Sequence, residues 1–291
     1  MLIRIVSILF PLFAIAALGY LVGRRLKPDL SHANRLNMDV FVPALVFAAL
    51  ASRETRIGDY LPLAAATLLV VIGSGLLAWA FARAAGQSTR TLVPPLMFNN
   101  SGNLGIPLAV LAFGDAALAP AVVTFAVSNL LHFSFGAWLL DHNIRLRNLW
   151  RVPSVAATIA GVALGLSGIE LWPPLMVAVK MLGDIAIPLM LFALGVRLTD
   201  SRLGAIGLGV LTGILRPLAG MALVWAVLLL IDLPPQERAL LMVFGALPPA
   251  VLNYIFAERY RQEPEKVASL VLVGNLLSLA MLPIPLALAL D

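Results

Sequence analysis

"FNNSGNLGIPLAVL", Phe98 to Leu111, is the stretch on which the reading of this chain turns. Apolar sequence flanks it on both sides, yet its centre holds three asparagines, a serine, two glycines and a proline. Glycine and proline are the poorest helix formers, and asparagine is a strong hydrogen-bonding side chain. The surrounding chain says where this cluster sits. Of 291 residues, 61% are apolar and 12% charged, with a mean hydropathy of +0.97. A soluble domain is about 45–50% apolar and about 25% charged. The sequence is therefore read as an all-α polytopic membrane protein, and the cluster as an interruption at membrane depth.

A membrane span needs roughly 20 mostly apolar residues. Ten such runs are expected, at about 5–23, 34–51, 60–82, 91–112, 117–140, 153–169, 177–197, 203–231, 238–257 and 267–289. The first lacks the basic start and cleavage site of a signal peptide and is read as a retained span. Alternate assignment of the loops puts fourteen cations on one side, among them Arg24, Arg25, Lys27, Arg145, Arg197 and Arg202. Five fall on the other, Arg4, Arg53, Arg56, Lys180 and Arg238, and Arg216 is left inside a span. The rich side is cytoplasmic by the positive-inside rule, so both termini are expected outside a bacterial inner membrane. The net charge of +5 is scattered over short loops and does not suggest nucleic acid. With no cysteine, thiolate chemistry and Cys-based metal sites are excluded, and neither metal nor cofactor is expected.

Shifted along itself by about 145 residues, the sequence brings distinctive pairs into line. "ALG" at Ala17–Gly19 meets "ALG" at Ala163–Gly165, and Arg35, Asp39 and Pro43 meet Lys180, Asp184 and Pro188. Phe98 meets Phe244, and Asn129 meets Asn275 within "VSNLL" and "VGNLL". Two five-span repeats are expected, 1–140 and 153–289. An odd number of spans inverts the second against the first, an arrangement typical of secondary transporters. The fourth span and its mate, the ninth, both carry breakers: Gly102, Gly105 and Pro107 in one, Gly245, Pro248 and Pro249 in the other. Freed backbone groups must be buried in protein or line a wet cavity. Helix N-termini meeting there favour an anion. Asn99, Asn100, Ser101, Asn103 and Asn253 are the side chains expected to serve that site.

The motifs "N-x-x-x-x-G-I-P-L" at Asn100–Leu108 and "A-L-P-x-x-x-x-x-x-x-F-A-x-x-Y" at Ala246–Tyr260 resemble the auxin efflux carrier family. That family includes plant PIN-type carriers and bacterial organic-acid transporters. The resemblance implies the five-plus-five inverted fold shared with bile-acid sodium symporters, with the fourth and ninth helices broken and crossing. It implies a scaffold of about 1–59 plus 153–200 and a transport domain of about 60–140 plus 203–289, moving as an elevator. A homodimer through the scaffold is implied as well. Asn100 matches the family's carboxylate-binding asparagine, Pro107 lies in the same motif, and Pro248 matches the crossover proline. Plant members have proline in place of Asn253, glutamine in place of Pro249, and a long loop where this chain has only Asp141–Val152. A small organic anion is therefore expected rather than auxin.

Several polar residues remain open to two readings. Arg216 either meets a substrate carboxylate or ties to a neighbouring helix, since a charge at membrane depth is usually functional. His132 and Ser128 are coupling candidates, histidine because it titrates near neutral pH. Asn129 and Asn275 either ligate a coupling cation or hold helices together. Asp39 and Asp184 each follow a cation by four residues and read as local ion pairs. A sodium-coupled symporter of the bile-acid type is the alternative within transport. An anion channel and a membrane sensor are alternatives of another class. No paired catalytic carboxylates, HExxH motif or intramembrane Ser/His pair points to an enzyme.

Overall fold

The computed structural model describes residues 1–52, 57–142, 146–199 and 204–290. Arg53, Arg56, Arg145 and Arg202 of the charge split lie outside them. Helices make up nearly all of these residues, and the one sheet-like feature among them is an isolated bridge between Asn99 and Pro249. In lipid a chain can satisfy its backbone only within helices or a closed barrel, and this apolar chain takes the helical solution.

Besides a 3-10 turn at Leu146–Arg151, thirteen helices follow in order among the described residues. They are α1 (Leu2–Leu26), α2 (Ser31–Ala51), α3 (Ile57–Ala84), α4 (Thr89–Met97), α5 (Ser101–Phe113) and α6 (Asp115–Leu140). After the connection come α7 (Pro153–Ser167), α8 (Pro173–Arg197), α9 (Ile206–Leu228), α10 (Pro235–Ala246), α11 (Leu252–Arg259), α12 (Pro264–Met281) and α13 (Pro283–Leu290). Proline opens α7, α8, α10 and α12. At the first helical position its missing N–H costs no bond.

Seven of the described helices are long and apolar enough to cross a membrane: α1, α2, α3, α6, α8, α9 and α12. The chain is a multi-pass membrane protein. The other three expected spans fall on shorter pieces. The sixth is α7, of 15 residues, while the fourth divides into α4 and α5 and the ninth into α10 and α11.

Packing partners come in matched pairs. Helix α1 packs on α8 as α7 packs on α2, and α6 packs on α3 as α12 packs on α9. Helix α4 likewise lies on α3, and α10 on α9. Glycine permits the closest of these approaches. A Cβ at Gly195 of α8 would overlap the Ala16 carbonyl of α1, and one at Gly220 of α9 would overlap the Gly245 carbonyl of α10. Phe98, Leu92, Ile106, Leu108, Leu241 and Leu247, all on the two divided helices, are among the largest side chains with almost no exposure.

Candidate functional site

Helix α4 stops at Met97 because Phe98 turns extended (φ −100°, ψ 113°), and α10 stops at Ala246 where Leu247 does the same (φ −60°, ψ 145°). Proline at 248 and 249 supplies no donors to continue the second helix. Each gap then satisfies the other. Asn100 N donates to Pro248 O at 2.8 Å, and Ala250 N donates to Phe98 O at 3.0 Å, closing an antiparallel bridge. Side chains complete it: Asn99 Nδ2 donates to Phe244 O at 2.7 Å, and Asn253 Nδ2 to Phe98 O at 3.0 Å. An unpaired buried backbone group costs about 1–3 kcal/mol, so these amides remove the main penalty of interrupting a helix in an apolar core.

Asn100 is 2% exposed and gives Nδ2 to Asn275 Oδ1 at 3.0 Å. Asn275, on α12, passes its own Nδ2 to Pro249 O at 3.0 Å and Val271 O at 2.8 Å. The asparagines thus form a chain linking both gaps to α12. Some capacity remains unspent: Asn99 Oδ1, Asn253 Oδ1 and His132 Nε2 are buried without a hydrogen-bond partner. The His132 ring stacks on Phe98, with centroids 4.2 Å apart and planes 7° from parallel.

A cavity of about 120 Å³ opens beside the bridge. From the first gap, Asn99, Asn100, Ser101, Gly102 and Asn103 line it, and from α6, Ser128, Asn129 and His132. Opposite stand Asn34 and Asn37 of α2, Ser154 of α7 and Arg197 of α8. Three single π-turns flank it, at Asn37–Phe41, Ser101–Gly105 and His132–Gly136. Such bulges recur at functional sites. No Asp or Glu contributes to the lining. The first amides of α5 have no intrahelical acceptor and carry the positive end of its dipole. The arrangement suits a small anion.

Not every expected residue reaches this cavity. Gly102 does, from the π-turn, whereas Pro107 sits inside α5, two residues beyond that turn. These are not the points of interruption; Phe98–Asn100 are, two residues or more earlier. Pro248 and Pro249 form the backbone of the second gap, and Asn253 is buried holding Phe98 O and Ala250 O. Asn275 lines an adjoining cavity of about 590 Å³. Asn129 donates to Ser154 Oγ at 2.9 Å, a bond from α6 to α7. Arg216 lies elsewhere: its Nη1 donates to Leu247 O and, at 3.4 Å, to Gly245 O, while its stem lines an apolar groove between α3 and α9. It neutralises the carbonyl end of α10 rather than entering the cavity beside the bridge. Of the two expected acid–base neighbours, Arg35 and Asp39 pair at 3.5 Å on the surface.

Asn37, Ser154 and Arg197 were not among the expected site residues. Arg197 was read as one more loop cation at a span end, and nothing local in the sequence distinguishes it.

The profile of the membrane transport protein family matches residues 4–143 and 137–286. A Rhizobium meliloti protein named for malonate transport is 25% identical over 305 residues, covering 95% of this chain and 93% of that one. An uncharacterized transporter of Methanocaldococcus jannaschii is 23% identical over 272 residues, covering 86% and 88%. With helices fit to cross a bilayer and a family match over almost its full length, the chain belongs to the membrane transport protein family, the auxin efflux carriers.

Proposed function

We propose that this protein is a secondary carrier that moves a small organic anion across the bacterial inner membrane. Its ten spans form two inverted repeats, the fourth and ninth spans being the divided helices that cross at the Asn99–Pro249 bridge. The matched packing pairs support this reading, because the main helix contacts of one half, α1 on α8, α3 on α6 and α3 on α4, have counterparts in the other. The first, second, sixth and seventh spans make the scaffold, which pairs with a second copy, and the other six make a transport domain that slides against it. Both termini face outside.

The observation that carries the proposal is the cavity beside the bridge: amide-rich, free of acids, and facing the N-terminal turn of α5. Asn129 to Ser154 is one of the bonds an elevator stroke would have to break. Malonate is the first substrate to try, because a relative matching nearly the whole chain is named for its transport. The test is a thermal-shift screen of mono- and dicarboxylates on the purified protein, with and without sodium, from pH 5 to pH 8. Stabilisation by a small carboxylate without a sodium requirement is the expected result. Stabilisation only in sodium transfers the reading to a symporter of the bile-acid type, and no response to any carboxylate refutes it.

A further inference from the structure

Two neighbouring cavities meet at one cation. The cavity beside the bridge and the larger one lined by Tyr254, Glu258 and Glu265 share Leu194, Arg197, Val251 and Ile255. Arg197, the last residue of α8, is the sole Lys or Arg lining either of them among the described residues. The inner lining is uncharged apart from Arg197, while the outer one brings in two carboxyl groups and a phenol. Charge therefore runs from acidic in the outer space, through a guanidinium at the junction, to neutral amides and a helix N-terminus within.

The inner cavity consequently has two ends that favour negative charge. One is the N-terminal turn of α5 at Ser101–Asn103, whose amides and dipole accept a carboxylate without a formal countercharge. The other is Arg197, whose planar fork matches a carboxylate with two parallel donors. A monocarboxylate uses one end. We infer that Arg197 is the specificity-determining residue that receives the second carboxylate of a dicarboxylate whose first carboxylate sits at the start of α5. This rests on the carrier reading above and adds to it the class of anion and the residue that reads it. Arg197 also shares its surroundings with Tyr254 and Glu258 of α11, so an arriving carboxylate joins a charged neighbourhood.

The experiment measures malonate and propionate binding to the purified full-length protein by thermal shift and direct titration. Wild type is expected to prefer malonate at least tenfold. Arg197→Gln is expected to weaken malonate about tenfold to hundredfold, the range of a charge-assisted hydrogen bond, and to leave propionate within about twofold. Arg197→Lys keeps the charge but loses the fork, so its malonate affinity falls between the two, and it serves if the Gln variant folds poorly. Equal loss of both acids, no loss of either, or a wild type without preference overturns the inference. Asn100→Ala separates this from the carrier reading. If it abolishes binding of both acids while Arg197→Gln changes neither, only the role of Arg197 falls. If it leaves both acids bound normally, the site itself falls.

Discussion

Arg216 offers the sharpest test of what a buried charge does in this fold. It is 7% exposed, and its Nη1 reaches Leu247 O and Gly245 O at the end of α10. The Gly245 contact, at 3.4 Å, is long for a hydrogen bond, so the bond to Leu247 O carries most of the interaction. Arg216→Lys keeps the positive charge, so the cost of burying it stands on both sides of the comparison. What changes is the loss of the guanidinium fork and its reach, leaving the Leu247 carbonyl without this donor at about 1–3 kcal/mol. At roughly 2–4 °C of Tm per kcal/mol for a chain of this size class, Tm should fall by about 2–12 °C. Malonate affinity of the folded protein should stay within about twofold, because Arg216 does not line the anion cavity. Scanning fluorimetry of purified protein in one detergent, with and without malonate, reads both quantities. An unchanged Tm together with a tenfold loss of affinity would refute the reasoning and return Arg216 to the substrate.

Three further outcomes are expected. Gly195→Leu should prevent stable folding, because any side chain there overlaps the Ala16 carbonyl of α1; normal yield and Tm would show that the two helices can separate cheaply. Because the native chain has no cysteine, the double variant Asn129→Cys with Ser154→Cys offers one chosen pair for crosslinking. Oxidation or a bifunctional crosslinker should stop transport reversibly, and full transport by crosslinked protein would exclude sliding at this contact. Glu263, between α11 and α12, has its carboxyl held below the ordinary value by hydrogen bonds from Lys266 and Thr91. A depressed carboxylate contributes stability above its unfolded pKa of about 4.3 that is lost as pH falls through the folded value. Glu263→Gln should therefore lower Tm slightly at pH 7 and leave it unchanged near pH 3; an equal drop at both would contradict the assignment.

The fold was largely legible from composition and punctuation, and the site only in part. Long apolar runs separated by charged turns gave helices such as α1, α3 and α9 close to their observed limits, because a lipid-facing chain has no alternative structure. Breaker residues fell within the second gap, at Pro248 and Pro249, but missed the residues of the first. Gly102, Gly105 and Pro107 read as the break, yet all three lie within α5, the two glycines in its π-turn. Phe98–Asn100 leave the helix because carbonyls and amides 145 or more residues away bond to them. That cause is tertiary and has no local signature. The same holds for Arg197, Asn37 and Ser154, whose side chains line the cavity only because α2, α7 and α8 pack against the divided helices. Arg216 shows the converse: its position inside a span was plain in the sequence, but the carbonyls it caps belong to the far side of a neighbouring gap.

Uptake of radiolabelled malonate into proteoliposomes, comparing wild type with Asn100→Ala, tests the central claim most directly. The Asn100 side chain joins the first gap to α12 through Asn275 and lines the cavity proposed to hold the anion, so its loss should abolish saturable uptake while the variant still inserts and unfolds cooperatively. Near-normal uptake by Asn100→Ala would contradict a substrate site at the crossing of the two divided helices.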